Sequence, residues 1–252
     1  MYDAIVLAGG VNNEQLRQYS CAEYEALIEI DGRPMVSFVV EALLQINEVR
    51  SIVVVGPRQQ LHSFFQDGRV KLVESGKGIM ENVLIALDSI SPTERVIIAT
   101  ADIPMLTPEA VHDFLTKCAR HEADFYYPII AKEENERSYP GIRRTYVRLK
   151  EGVFTGGNIF LVNPGVIRNC MEVAKQIVAK RKNPFQLSRI LGLKFVVQFI
   201  LGTLTLPDVV RRVSELLNLR GAVVVSPYPE VGIDVDKPSD LDLVRHRFTL
   251  RI

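Results

Sequence analysis

Five short stretches carry residues able to do chemistry. Leu7-Ala8-Gly9-Gly10 closes an apolar run that starts at Asp3, so a buried strand leads straight into two glycines. Glycines there let the backbone turn sharply and bring its N–H groups against a ligand, most often nucleotide phosphates; the same pair also serves a plain tight turn. Gly76-Lys77-Gly78 opens an apolar helix that includes Asn82, and the unpaired N–H groups of a helix N-terminus suit an anion or a base edge. Asp102 follows the β-branched run Val96-Ile97-Ile98, which places a carboxylate at the carboxyl end of a strand, at the crevice where open α/β sheets bind ligands. Thr107, directly before Pro108, is the better cap for the helix that follows, which leaves Asp102 for another role. Thr155-Gly156-Gly157-Asn158 enters a strand: its glycines permit close backbone approach, and its hydroxyl and amide offer polar recognition, with a ligand-free bulge as the alternative. Asp234 and Asp236 fall on one face of a strand through Val235. With no basic partner fixed by the sequence, two such carboxylates are costly unless a cation joins them.

The elements that must position these groups alternate. Uninterrupted apolar strands are predicted at 3–8, 51–56, 71–73 and 95–100, and such runs suit a parallel sheet covered on both faces. Helices are predicted from Pro34 to Ile46, after Gly78 and from Pro108 to His121, the first by apolar residues at Met35, Phe38, Val39, Ala42, Leu43 and Ile46. A strand follows at 124–130, then a charged stretch, 131–150, expected as a solvated loop or hairpin in which Arg143, Arg144 or Arg148 receives an anionic acceptor as the bolder reading. Residues 165–220 are helical in pattern, with 190–206 so apolar that a core helix or a homodimer contact is expected. That stretch is interrupted by Lys194 and Gln198 and is too short for a comfortable membrane span. Ala222 to Ser226 reads as the last core strand. The expectation is one domain over 1–252, α/β, a three-layer α/β/α sandwich on a mostly parallel Rossmann-like sheet. Within it, 1–130 forms a nucleotide-binding part and 131–252 an acceptor-binding part.

The totals remove some classes of partner. Thirty basic and thirty acidic residues cancel, so no general attraction to nucleic acid or an anionic membrane is expected. Cys21, Cys118 and Cys170 are widely spaced and odd in number, which fits free thiols in a reducing cytoplasm rather than a zinc site or a disulfide frame.

The order LAGG, loop, ALIEIDGRPMVSFVVEALL at 26–44, Asp-Ile-Pro at 102–104 and Asp-Lys-Pro-Ser-Asp-Leu at 236–241 resembles the nucleotidyltransferase superfamily with the GT-A-like fold. Its members include the molybdopterin-guanine, 2-phospholactate and CMP-sugar nucleotidyltransferases. The resemblance runs from residue 3 to about residue 245. It implies transfer of a nucleoside monophosphate from a nucleoside triphosphate to a phosphorylated small-molecule acceptor, with release of pyrophosphate. It implies that Leu7, Ala8, Gly9, Gly10, Gly76, Lys77, Gly78 and Asn82 seat the nucleotide and that Thr155, Gly156, Gly157 and Asn158 seat the acceptor. Mg²⁺ would be held by Asp102 and Asp236, with Asp234 as alternate. The chain departs from the pattern in its loop, Val11 to Glu23, which has no glycine after Gly10. Tyr24 and Glu25 stand where the family has Pro-Lys, and a carboxylate there repels a triphosphate. Arg17 is then the loop's one basic residue and the candidate replacement in catalysis. Two further readings stay open: a nucleotide- or sugar-nucleotide-binding protein without transferase activity, and a metal-dependent glycosyltransferase.

Overall fold

A computed structural model describes residues 1–91, 95–180 and 190–249. Alternation of β-branched runs with amphipathic segments gives strands β1 (Tyr2–Leu7), β2 (Glu29–Ile30), β3 (Arg33–Pro34), β4 (Val49–Gly56), β5 (Val70–Glu74), β6 (Val96–Thr100), β7 (Phe125–Ala131), β8 (Val147–Leu149), β9 (Gly152–Gly156), β10 (Ile159–Val162) and β11 (Gly221–Ser226). The helices are α1 (Met35–Leu44), α2 (Arg58–Leu61), α3 (Ile79–Asp88), α4 (Pro108–Cys118), α5 (Lys132–Ser138), α6 (Pro164–Lys180), α7 (Leu193–Ile200), α8 (Leu206–Leu217) and α9 (Pro238–Thr249).

Nine strands form one sheet in the order β5-β4-β1-β6-β10-β7-β9-β8, with β11 parallel along the other side of β7. β10 runs against β6 and β7, and β9 against β7 and β8; the ladders of β1, β4, β5 and β6 are parallel. The sheet is therefore mostly parallel, as expected, with antiparallel insertions beyond β6. Period-two alternation divides its faces. Ala4 and Val6 of β1 pack with Val36, Val39 and Val40 of α1 and Val111 and Phe114 of α4, while Ile5 packs with Val83 and Ala86 of α3 and Ile167 and Met171 of α6. Helices cover both faces, which makes three layers.

A third apolar cluster sits at the carboxyl ends of the strands. It joins Leu16 of the long loop, Ile28 and Ile30, Met105, Tyr139, Ile233, Val235 and Leu241 and Val244 of α9. This cluster holds the N-terminal loop and the closing segment against the end of the sheet.

Two expectations change. Residues 131–150 are not a solvated loop: they contain α5 and the first strand of the β8–β9 hairpin, because Asn135 and Tyr139 are buried and give α5 an inward face. The apolar 190–206 stretch is not a core helix. Val197, Phe199, Ile200 and Leu201 are all exposed, a face open to a partner, while residues 181–189 of the expected helical stretch lie outside the described residues. Ala222–Ser226 lies in the last strand, as expected, with Val224 in the core and Ser226 buried; it joins the sheet through β7 alone. As expected, Thr107 caps α4, its hydroxyl accepting from the Ala110 N–H at 3.2 Å. α8 is closed at its start by a reciprocal Thr205–Asp208 capping box.

Candidate functional site

Asp102 lies two residues beyond β6. The Val235 N–H donates to its carbonyl at 2.9 Å, which ties the end of β6 to the closing segment 233–236. That segment is extended but belongs to no sheet, so the expected strand is absent. Its two-residue period survives nonetheless: Ile233 and Val235 are fully buried in the third cluster, while Asp234 is half-buried and Asp236 exposed. Burying one such side chain contributes about 1.5–3 kcal/mol, so the pair anchors the segment by roughly 3–6 kcal/mol and turns both carboxylates toward Asp102. Asp240, buried in the first turn of α9, accepts from the N–H groups of Asp236 (3.2 Å) and Lys237 (3.1 Å). Asp240 thus serves the start of α9, and its bonds fix the backbone that carries Asp236.

Carboxylate oxygens of Asp102, Asp234 and Asp236 lie within 4.8 Å of one another. Three hard oxygen donors converging at that spacing suit a divalent cation such as Mg²⁺. The charges act on each other. Burial, together with Asp234, Asp236 and Glu25, pushes the Asp102 carboxyl up to about 7, against the Thr100 hydroxyl, which donates to it. Arg144 forms an ion pair with Asp234, both side chains mostly buried. The sequence expectation that the acids have no fixed basic partner is therefore corrected, and Arg144 is engaged rather than free for a ligand at that end.

The N-terminal loop approaches the same place. Asn13 Nδ2 donates to Glu25 Oε1 at 3.1 Å and to the Asp236 carbonyl at 3.2 Å, and Asn13 Oδ1 accepts from the N–H groups of Gln15 and Leu16. Asn12 Nδ2 pins the loop from inside through the Ser20 and Ala22 carbonyls. Hence the loop is ordered without glycine. Glu25 lies against Gly10: its N–H donates to the Gly10 carbonyl at 2.9 Å, and a Cβ at position 10 would stand 3.2 Å from its Oε2. Burial and the Asp236 and Asp234 carboxylates raise the Glu25 carboxyl above its ordinary range, opposed by the Asn13 hydrogen bond. Arg17 is exposed on a one-turn helix, Leu16–Gln18, within this loop.

Gly9 abuts the second glycine motif, since a Cβ there would come within 2.6 Å of the Ser75 Cβ and 2.9 Å of Asn82 Nδ2. Around α3 the N–H groups are partly spoken for: Gly76 donates to Asn82 Oδ1 at 2.7 Å and Lys77 to Glu81 Oε2 at 2.8 Å. The expectation of outward, unpaired donors thus fails at 76 and 77, where the helix's own side chains fold back. Gly78 has open space around its Cα, and Lys77 is exposed.

The Thr155–Asn158 stretch adjoins Asp102 through β10. Thr100 N–H donates to the Asn158 carbonyl at 3.1 Å, and Asn158 N–H to the Val231 carbonyl at 2.7 Å. Here the glycines also have a packing reason. A Cβ at 156 would sit 1.8 Å from the Tyr127 hydroxyl, and one at 157 would sit 3.0 Å from the Val231 carbonyl oxygen. Thr155 is buried and Asn158 half-buried. The ends of β1 and β6 are joined by the Ala101 N–H to the Leu7 carbonyl at 3.1 Å; Gly9 meets the 75–82 motif there and Asn158 meets the end of β6, while Thr155 lies on β9, beyond β10 and β7. Sequence reasoning missed Asn13 and Thr100 and the pairing of Arg144. Thr100, two residues before the aspartate, was within reach, whereas Arg144 and Asn13 act across 90 and 223 residues.

Comparison with known proteins agrees with this fold. The sequence profile of the MobA-like NTP transferase domain matches residues 4–181, so that Asp102 lies inside the matched stretch and Asp234 and Asp236 beyond it. A structure described as a hypothetical transferase from Thermus thermophilus is 39% identical, with a TM-score of 0.84 over 95% of this chain and 99% of its own. A CMP:2-keto-3-deoxy-manno-octonic acid synthetase in complex with CTP shares the fold at 16% identity and a TM-score of 0.62, over 100% of both chains. The 4-diphosphocytidyl-2C-methyl-D-erythritol synthase of Anaerococcus prevotii does so at 11% and 0.59, over 98% of this chain and 95% of its own. No curated protein matches the sequence.

Proposed function

The chain belongs to the MobA-like NTP transferase family, and on that premise we propose that it is a Mg²⁺-dependent nucleotidyltransferase acting on a phosphorylated small molecule. An oxygen of the acceptor phosphate attacks the α-phosphorus of the triphosphate; the new P–O bond joins acceptor and nucleoside monophosphate, and the bond to the β-phosphate breaks so that pyrophosphate leaves. The observation that carries this reading is the convergence of Asp102, Asp234 and Asp236 beyond the end of β6, with Glu25, which stands against Gly10, close enough to act on their charges.

Asp102 and Asp236, with Asp234, are the residues that would hold Mg²⁺, which when bound supplies charge neutralisation to the triphosphate. The chain's own residues do the rest by placement. Gly9 allows Ser75 and Asn82 to close against the end of β1, Gly10 allows Glu25 to do so, and Gly78 leaves room beside α3 for the nucleotide. Asp240 fixes the closing segment, and Asn13 ties it to the N-terminal loop through the Asp236 carbonyl. Asn158, whose carbonyl accepts from Thr100 two residues before Asp102, offers an amide to the acceptor, and Thr155 lies further along the sheet on β9. Such catalysis rests on positioning and electrostatics and needs no covalent intermediate. The three free cysteines fit a cytoplasmic location.

Glu25 against Gly10 favours one second reading, a nucleotide-binding protein without transfer. The two separate in a single assay: each nucleoside triphosphate with a panel of sugar phosphates and phosphopolyols, followed by ³¹P NMR. Pyrophosphate formed only with Mg²⁺ and lost in Asp102→Ala supports transfer. Tight Mg²⁺-dependent nucleotide binding with no pyrophosphate for any pair supports the second reading.

A further inference from the structure

β5 is an outer strand of the sheet, paired with β4 alone among the described strands. Ile52 N–H donates to the Arg69 carbonyl at 2.8 Å and Ser75 N–H to the Gly56 carbonyl at 3.2 Å. Arg69, Lys71, Val73 and Ser75 therefore face β4, and Val70, Leu72 and Glu74 turn their backbone groups the other way. The Asp67 carbonyl takes the Val70 N–H at 2.9 Å. That leaves the N–H and C=O of Leu72 and Glu74, with the Val70 C=O, along an edge that no described strand covers. The edge lies in a trough of about 680 Å³. Alternation of side chains puts Phe65, with Arg58 and His62 at the two ends of α2, on the wall beside Leu72, and Ser89 at the end of α3 on the wall beside Lys71. The Ser89 carbonyl holds the Lys71 ammonium at 2.5 Å against that second wall. Arg58 and His62 are exposed, and Glu74 is the one acid among the lining residues.

An open sheet edge is a template for pairing with another chain, and native folds cover, twist or charge it. Lys71, the charge that would guard this edge, is bound to its wall. The trough also has the size of a strand. The five residues of β5 span about 17 Å at about 3.3 Å each, which gives 680 Å³ a cross-section of about 40 Å², against about 48 Å² for a strand 4.8 Å from its neighbour between layers 10 Å apart. We propose that β5 receives an extended acidic peptide segment of a partner protein as an added strand. Backbone hydrogen bonds to Leu72 and Glu74 hold the segment, and its carboxylates meet Arg58, His62 and Lys71. The β5 edge of a second copy fits less well, because that edge is itself walled on both sides and two recessed edges do not reach each other. β5 lies three strands from β6 and Asp102, and its occupant is independent of the transferase reading.

The probe is a fluorescein-labelled, amidated peptide of alternating valine and glutamate, titrated with the full chain and followed by fluorescence anisotropy. It is expected to bind saturably and to slow the exchange of the Leu72 and Glu74 amides in NMR spectra. Arg58→Glu, on an exposed side chain, should bind it about tenfold more weakly while melting with the wild type. The same peptide with lysine for glutamate should not bind. Backbone pairing is tested by N-methylation, because methylating every valine amide or every glutamate amide blocks one edge of the peptide strand and leaves the other. One of the two methylated peptides should lose binding at least tenfold and the other keep it. No saturable binding, equal binding of the lysine peptide, or binding that survives both methylations overturns the proposal. Protection of Leu72 and Glu74 that grows with protein concentration without peptide, alongside a dimer in sedimentation, also overturns it and gives the edge to a second copy.

Discussion

Replacing Asp102 by asparagine should make the metal-free protein more stable, although it removes a residue of the proposed metal site. The Asp102 carboxyl moves from 3.8 in the unfolded chain to about 7 in the native protein, mainly through burial and then through Asp234. A rise of about three pKa units corresponds to roughly 4 kcal/mol between the two protonation states. The sign follows from linkage. Because the native state holds this proton more tightly than the unfolded chain, ionised Asp102 costs stability, and the full cost is reached only above pH 7. The cost shrinks to less than about 2 kcal/mol at pH 5 and is gone below pH 4, where both states are protonated. The substituted side-chain amide would keep an oxygen to accept from Thr100 and carries no charge at any pH. For a chain of this length each kcal/mol is worth about 2–4 °C, so the ceiling on the gain at pH 8 is on the order of 10 °C, with relaxation around the site reducing it. The assay is a melting series from pH 4 to pH 8.5 on EDTA-treated wild type and Asp102→Asn. The variant should melt higher at pH 8, and the two curves should converge toward pH 4. Asp102→Asn melting at or below the wild type at pH 8, or a gap independent of pH, would refute the argument that burial and the neighbouring carboxylates disfavour the charge on Asp102.

Removing the partner of Asp234 should act in the opposite direction. Arg144→Ala leaves a mostly buried carboxylate unpaired and should cost on the order of 3 kcal/mol in urea unfolding, whereas a rim ion pair such as Arg168–Asp88 should cost less than about 1 kcal/mol when Arg168 is truncated. Gly157→Ala places a methyl against the Val231 carbonyl oxygen and Pro128. It should destabilise by about 1–3 kcal/mol, read by the same assay, since backbone cannot move aside as a flexible side chain can. Cys21 is exposed, whereas Cys118 is buried with its thiol pushed up to about 12. A thiol reagent at pH 8 should label Cys21 alone quickly in the native protein, and all three cysteines in denaturant.

Much of this was legible in the chain because the signals are local. The strand runs at 3–8, 51–56 and 95–100 and the Pro108 helix start depend on neighbouring residues, and the Asp102 and Asp236 motifs sit at element ends whose positions those runs dictate. What was hidden is what acts over distance. The buried faces of Asn135 and Tyr139, which make 132–138 a helix, exist only once β7 and the third cluster are in place. The 233–236 segment keeps its alternation without a ladder because apolar anchoring by Ile233 and Val235, and not strand pairing, sets its faces. Gly76 and Lys77 lose their free amides to Asn82 and Glu81, a competition that the glycine pattern does not reveal. The antiparallel β9 and β10 follow from hairpin and crossover geometry beyond residue 120, where apolar runs are shorter and mixed with charge.

The measurement that bears most directly on the account is a thermal-shift panel of ATP, GTP, CTP and UTP, each with and without Mg²⁺, on the wild type and on Asp102→Ala. A ligand at a hundred times its dissociation constant adds about 2.7 kcal/mol, well within detection. The account predicts that one triphosphate stabilises the wild type only when Mg²⁺ is present and that Asp102→Ala abolishes the shift. No shift with any triphosphate, or a shift that ignores both Mg²⁺ and Asp102, would contradict it.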